Sequence, residues 1–338
     1  MTGGATNWNG LVERGGAVRF IDINLRGVGQ VFFQNNPLTG LLFLAAIVWS
    51  AYAAKTPAIA VGAVVGLVVS TTTAILLRSD ATSLRQGLFG FNGVLVGVAV
   101  PTFLAPVPAM WPLLVLGAAV STVVMLAVSK VMKSWGTPAL TFPFVLTTWF
   151  LILSAHSFGR LPIDGIAPPH LPQAVEAFPI VDFNAALLGV SWIKGVAQVF
   201  LIDNWVAGLL ILLGLVVSSV WAAVFALLGS AAGLAGAVLL GAAVSDIDAG
   251  LYGFSPALTA IALGCVFYQL SWRVALFALL GAVFTVIVQG ALDAALAPVG
   301  IPTFTAPFVF VTWLFLLPRA DFEPHRHEPI ERALLKDK

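Results

Sequence analysis

Three stretches of the sequence occur twice, in the same order and at nearly the same separation. Residues 27–40 read GVGQVFFQNNPLTG and residues 195–208 read GVAQVFLIDNWVAG, with seven of fourteen positions identical. Residues 87–95, GLFGFNGVL, return as GLYGFSPAL at 250–258. Residues 137–149, TPALTFPFVLTTW, return as IPTFTAPFVFVTW at 301–313. The separations are 168, 163 and 164 residues. The chain is therefore two copies of one unit, and its fold must be one that can be built twice.

The material between the repeated blocks says what the unit is made of. Apolar runs of roughly 17–22 residues recur along nearly the whole chain, each long enough to cross a hydrocarbon core as a helix. Only 9% of residues are charged and 59% are hydrophobic, against about 25% charged in an average soluble domain. A soluble fold this poor in charge could not cover its own surface. Ten spanning segments are read at about 38–54, 58–77, 88–105, 111–129, 138–155, 205–228, 231–245, 252–270, 274–292 and 302–318. Two further apolar stretches, 17–34 and 183–202, precede each group of five. The first fifteen residues are polar and Gly-rich, without the apolar core of a signal peptide, so insertion is expected to use the first spans. The single cysteine, Cys265, lies in an apolar run and reads as a small buried side chain. A net charge of +1 gives no field for nucleic acid or another polyanion.

Charge decides the status of the two extra stretches. If neither crosses, one side of the membrane receives thirteen of the sixteen lysines and arginines, and the other only Lys55, Arg160 and Lys194. The richer side should be cytoplasmic, with both termini on it. The stretches are therefore read as re-entrant or half-spanning, tolerated where protein or a water-filled cavity shelters them. Five spans are an odd number, so the second unit enters the membrane from the opposite face. The expected fold is an all-α integral membrane protein of two inverted five-span repeats, with a shared pore at the pseudo-two-fold axis. The expected boundaries are an N-terminal tail at 1–16, the first repeat at 17–165, a linker at 166–182, the second repeat at 183–318 and a cytoplasmic tail at 319–338.

The repeated polar residues are uncharged: Gln30 and Gln198, Thr141 and Thr305, Asn36 and Asn204. They offer hydrogen bonds without charge. Phenylalanines accompany them, Phe32, Phe33 and Phe91 in one half answering Phe200, Leu201 and Phe254 in the other. Flat rings can form a slot that admits a flat molecule and can receive N–H groups on their faces. Pro143 and Pro307 follow each threonine by two residues. Within a helix they would free the carbonyls of Ala139 and Thr303 as acceptors. Such a path suits a small, planar, neutral solute with several N–H donors, not an ion. An ion-coupled transporter of a small polar, amide-like solute is the alternative, but no symmetric pair of mid-span carboxylates answers for its ion. An intramembrane enzyme would need a metal cluster or a nucleophile–base pair, and no HExxH, GxSxG or paired carboxylates occur. An ammonia channel would be expected to show paired in-pore histidines, whereas His156 ends a span and the tail histidines read as solvated.

The blocks TPALTFPF at 137–144 and IPTFTAPF at 301–308 resemble the L-P-x-x-T-x-P-F signature of the urea transporter family, with Thr137 and Ile301 in place of the leading leucine. The G-x-x-Q-V-x-F and N-N-P features at 27–37 are similar to that family as well. The resemblance covers nearly the whole chain and suggests a compact bacterial member. It implies passive, channel-like diffusion of urea, no cofactor and no bound metal. It also implies a homotrimer in the cell (inner) membrane with one pore per protomer. Carried over by position, Gln30, Val31, Phe33, Phe91 and Leu95 would line one side of the filter. Gln198, Val199, Leu201, Phe254 and Leu258 would be their partners, and Thr141 and Thr305 would flank the central constriction. Leu201 stands where Phe33 has an aromatic ring, so the second slot is expected to be half aliphatic, or to use Phe200 instead.

Overall fold

A computed structural model describes residues 8, 10–13, 15–166, 168–172 and 185–318. The C-terminal tail and most of the expected linker lie outside the described residues. Between residues 15 and 318 the helices fall into two matching sets of seven. The first set is α1 Gly16–Gly29, α2 Pro37–Ala53, α3 Pro57–Leu76, α4 Ala81–Arg85, α5 Phe91–Phe103, α6 Met110–Met132 and α7 Phe142–Ala155. The second is α8 Ala185–Ala197, α9 Trp205–Ser218, α10 Val220–Leu239, α11 Val244–Asp248, α12 Phe254–Ile261, α13 Trp272–Leu296 and α14 Ala306–Leu316.

The ten nearly equal segments expected from hydropathy come out unequal. Among the described residues four helices are long and apolar enough to cross alone: α3, α6, α10 and α13, the second and fourth carried on by short 3-10 turns. The stretches α1–α2 and α8–α9 are bent by 75° and 72°. The helices α5, α7, α12 with its π turn, and α14 run only 11–14 residues, about 16–21 Å at 1.5 Å per residue and short of a 30 Å core. Hydropathy merges each of them with the apolar loop beside it. The segments read at 205–228 and 231–245 also need redrawing. The chain breaks at Ser219, whose extended backbone ends α9 and whose Oγ accepts from Ala222 N at 3.2 Å to start α10.

The bends have a local cause that is written twice. After α1 a single 3-10 turn, Gln30–Phe32, ends at Phe33 with φ +62°. After α8 the turn Gln198–Phe200 ends at Leu201 with φ +57°. Asn36 then caps α2, its Oδ1 accepting from Leu38 N at 2.9 Å. Asn204 caps α9 in the same way, accepting from Ala207 N at 3.0 Å. The repeated asparagines thus start helices. Left-handed residues recur in pairs elsewhere: Gly87 and Gly250, Gly136 and Gly300, Leu140 and Phe304.

Close helix packing rests on small residues. Gly62 and Gly66 on α3 face Gly93 and Gly97 on α5, and a Cβ on any of the four would run into the partner helix. Gly229 and Gly233 on α10 meet the backbone around Tyr252 and Pro256 in the second half. Without a hydrophobic force between helices in lipid, such close approach is what packing can gain.

The prolines of the third block do something other than expected. Pro143 and Pro307 sit in the first turn of α7 and α14, not within a helix. A missing N–H costs nothing there. Ala139 O accepts from Phe142 N at 3.2 Å and Thr303 O from Ala306 N at 3.1 Å, so both carbonyls are engaged in the turn.

Candidate functional site

The third repeated block brings the two halves together. Thr141 Oγ1 and Thr305 Oγ1 lie 2.6 Å apart, both buried. Trp149 Nε1 donates to Pro302 O at 2.9 Å, and Trp313 Nε1 donates to Pro138 O at 2.7 Å. Trp149 and Trp313 are repeat counterparts, as are Pro138 and Pro302. Each tryptophan thus reaches the proline of the other half, a reciprocal pair of bonds. Phe32 and Phe200, another matched pair, pack with ring centroids 5.9 Å apart and planes tilted by 46°.

Beside the threonines lies a narrow cavity of about 30 Å³. The first half contributes Gln30, Val31, Phe33, Leu88, Phe91, Leu140 and Thr141. The second half contributes Val266, Phe267 and Phe308. Five residues expected from the sequence therefore converge: Gln30, Val31, Phe33, Phe91 and Thr141. Leu95 and Leu258 do not line this cavity and are fully buried in the core. Gln198, Val199, Leu201, Phe254 and Thr305 lie outside its wall, Thr305 against Thr141.

The polar groups are held in fixed directions. Gln30 Nε2 donates to Gln86 O at 2.8 Å, and Gln198 Nε2 donates to Ala249 O at 2.7 Å. A carbonyl can only accept, so the amide NH2 of each glutamine must face it. That leaves each Oε1 as the free acceptor. Gln86 and Ala249 are themselves counterparts, 163 residues apart. The paired threonines share one proton between their oxygens and keep one further O–H and several lone pairs. Among the cavity-lining residues there is no ionisable side chain. The wall offers acceptors, one or two donors and ring surface.

The rings are arranged edge-on. Phe33 meets Phe267 at 5.9 Å and 81°, and Phe308 at 6.1 Å and 72°. Sequence reasoning missed Phe267, Phe308, Leu88, Leu140 and Val266. Phe308 had a signal, as the last residue of the T-x-P-F block. Phe267 follows a π turn at Ala262–Val266 in the other half, where no repeated motif pointed. Phe200 is fully buried and packs on Phe32 and Phe43. Leu201 holds the left-handed position that Phe33 holds in the first half.

The ion pairs beside the two bends differ. Arg26 pairs with Asp22 at 2.7 Å and donates to Asn35 Oδ1 at 2.8 Å. Its counterpart Lys194 pairs with Asp203, the counterpart of Asn35, at 2.7 Å.

A bundle of apolar helices with a buried, uncharged, ring-lined cavity where its two halves meet is the build of a membrane transport protein for a small solute. The urea transporter family model matches residues 21–320, and the chain belongs to that family. It is 34% identical to urea transporter 1 of Ovis aries over 318 residues, covering 92% of this chain and 79% of that protein. The same figures hold for urea transporter 1 of Capra hircus, and identity to that of Rattus norvegicus is 32% over the same span.

Proposed function

We propose that this protein conducts urea passively through a pore whose narrowest part is the threonine pair. The observation that carries this reading is the cavity in which Gln30, Thr141 and the rings of Phe33, Phe91, Phe267 and Phe308 meet with no charge among them. Urea would lie between ring faces and donate its N–H groups to Gln30 Oε1 and the threonine oxygens. It would pass Thr141 and Thr305 and meet the second set at Gln198, Val199, Leu201 and Phe254, with Leu95 and Leu258 backing the two slots. An ion would lose hydration with nothing to replace it. Weak, uncharged contacts let the solute leave as readily as it enters.

The halves, 17–165 and 183–318, would be inverted across the membrane, with both termini in the cytoplasm. The lysine and arginine distribution supports this orientation, and the reciprocal Trp–Pro bonds support the two-fold relation. Outward-facing Leu213, Trp221, Leu280 and Ile287 fit contact with lipid or a second protomer. The inner membrane and a trimer with one pore per protomer complete the reading.

The test is radiolabelled urea uptake into proteoliposomes, with and without an imposed voltage and pH gradient. Rapid uptake indifferent to both is expected. Uptake that follows either gradient would favour a coupled transporter, and uptake no faster than empty vesicles would remove urea as the solute.

A further inference from the structure

The two halves do not place their aromatic walls at the same position. In the first half the left-handed residue before the N-cap asparagine is Phe33, and the left-handed residue before the paired threonine is Leu140. Both line the cavity. In the second half the same two positions are Leu201 and Phe304, with φ +57° and +49°. Ring and aliphatic side chain have changed places.

The contacts change places with them. Phe33 packs edge-on against Phe267 and Phe308. The counterpart of Phe308 is Phe144, and the ring 164 residues before Phe267 is Phe103. It is Phe304 that meets them, at 5.7 Å and 66° and at 5.1 Å and 58°. A left-handed backbone is costly for a phenylalanine, which points to a reason for the ring at that position.

We infer that Phe304 supplies the ring that Leu201 lacks, and is the specificity-determining wall of the second slot. This rests on the passive urea reading above. The second slot is then not half aliphatic. At its two left-handed positions it has what the first has, one ring and one leucine, with their order along the path reversed. A planar amide leaving the threonine pair meets an aromatic surface first on one side and a leucine first on the other. The leucine at 201 also makes room: a ring there, added to Phe304, would face a ring already present.

The experiment uses the full chain in proteoliposomes, with urea and N-methylurea as the two solutes. Phe304→Leu removes the ring and is expected to lower urea flux about tenfold, from the loss of one ring contact worth up to about 1.4 kcal/mol. It should also narrow the preference for urea over N-methylurea. Phe304→Tyr keeps the ring and should lose less flux, and less of the preference, than Phe304→Leu. The exchange Leu201→Phe with Phe304→Leu copies the order of the first half and should regain most of the flux that Phe304→Leu loses, whereas Leu201→Phe alone should reduce flux. The inference is overturned if Phe304→Leu changes neither flux nor preference, or if Phe304→Tyr falls as far as Phe304→Leu in protein with a parental unfolding temperature. Failure of the parent to pass urea at all would instead strike the functional reading itself.

Discussion

Thr141 and Thr305 are 164 residues apart in the chain and 2.6 Å apart in space, hydroxyl against hydroxyl. Each occupies the same place in its own half, just ahead of a short helix that begins with a proline in its first turn. Their bond joins the two halves in the buried interior.

That bond gives an unusual order of variants. Thr141→Val leaves the Thr305 hydroxyl buried without a partner, at a cost of about 1–3 kcal/mol. Thr141→Val with Thr305→Val removes both hydroxyls and should be the more stable of the two, as read by thermal unfolding in detergent. Urea flux should behave differently and fall about tenfold or more in the double variant, because both oxygens are gone. Unchanged flux in the double variant would remove the threonines from the path.

Gln30 is held by the carbonyl of Gln86. Gln30→Leu loses the acceptor facing the cavity and strands that carbonyl. Urea flux should drop at least tenfold, and Gln198→Leu should do the same through Ala249 O. Stopped-flow light scattering on vesicles with a urea gradient measures both. An effect confined to one half would mean that the solute meets only one of the two amides.

The reciprocal tryptophans should cost the same when removed. Trp149→Phe and Trp313→Phe each delete one indole bond to a proline carbonyl of the other half. A loss of about 1–2 kcal/mol is expected for each. A large difference between the two would show that the halves do not depend on each other symmetrically.

Much of this was legible in the residues and some was not. The repeat blocks marked Gln30, Phe33, Phe91 and Thr141, since each lies inside a run that recurs. The asparagines recur for a different reason, as helix caps. Phe267 could not be found because it enters the cavity from the other half, outside any repeated motif. The short helices were hidden because hydropathy does not distinguish an apolar helix from the apolar loop that leads into it. The break at Ser219 was hidden for the same reason: leucines and valines continue on both sides. The prolines misled because their position in a turn or a helix depends on the left-handed residues at Leu140 and Phe304, which no propensity predicts.

A smaller asymmetry also makes a prediction. Asn92 Oδ1 accepts from Phe144 N at 3.0 Å, capping a helix that starts in the core. Its counterpart Ser255 is shorter, and its hydroxyl is buried without a partner. Asn92→Ala should therefore destabilise the protein by about 1–2 kcal/mol, while Ser255→Ala should be neutral or slightly stabilising. Denaturation midpoints in detergent would decide it, and equal losses would refute it.

The left-handed side chains at Phe33, Leu140, Leu201 and Phe304 have a consequence for anyone selecting variants of this protein. Glycine at any of the four would relieve a backbone that L side chains resist, by about 1 kcal/mol. At 140 and 304 the buried side chain is worth more than that, about 2–5 kcal/mol on truncation, so a thermostability screen should keep both. At 33 and 304 the same change deletes a ring. Heat resistance and choice of solute therefore select the same ring at 304, and clones that survive such a screen should still discriminate there.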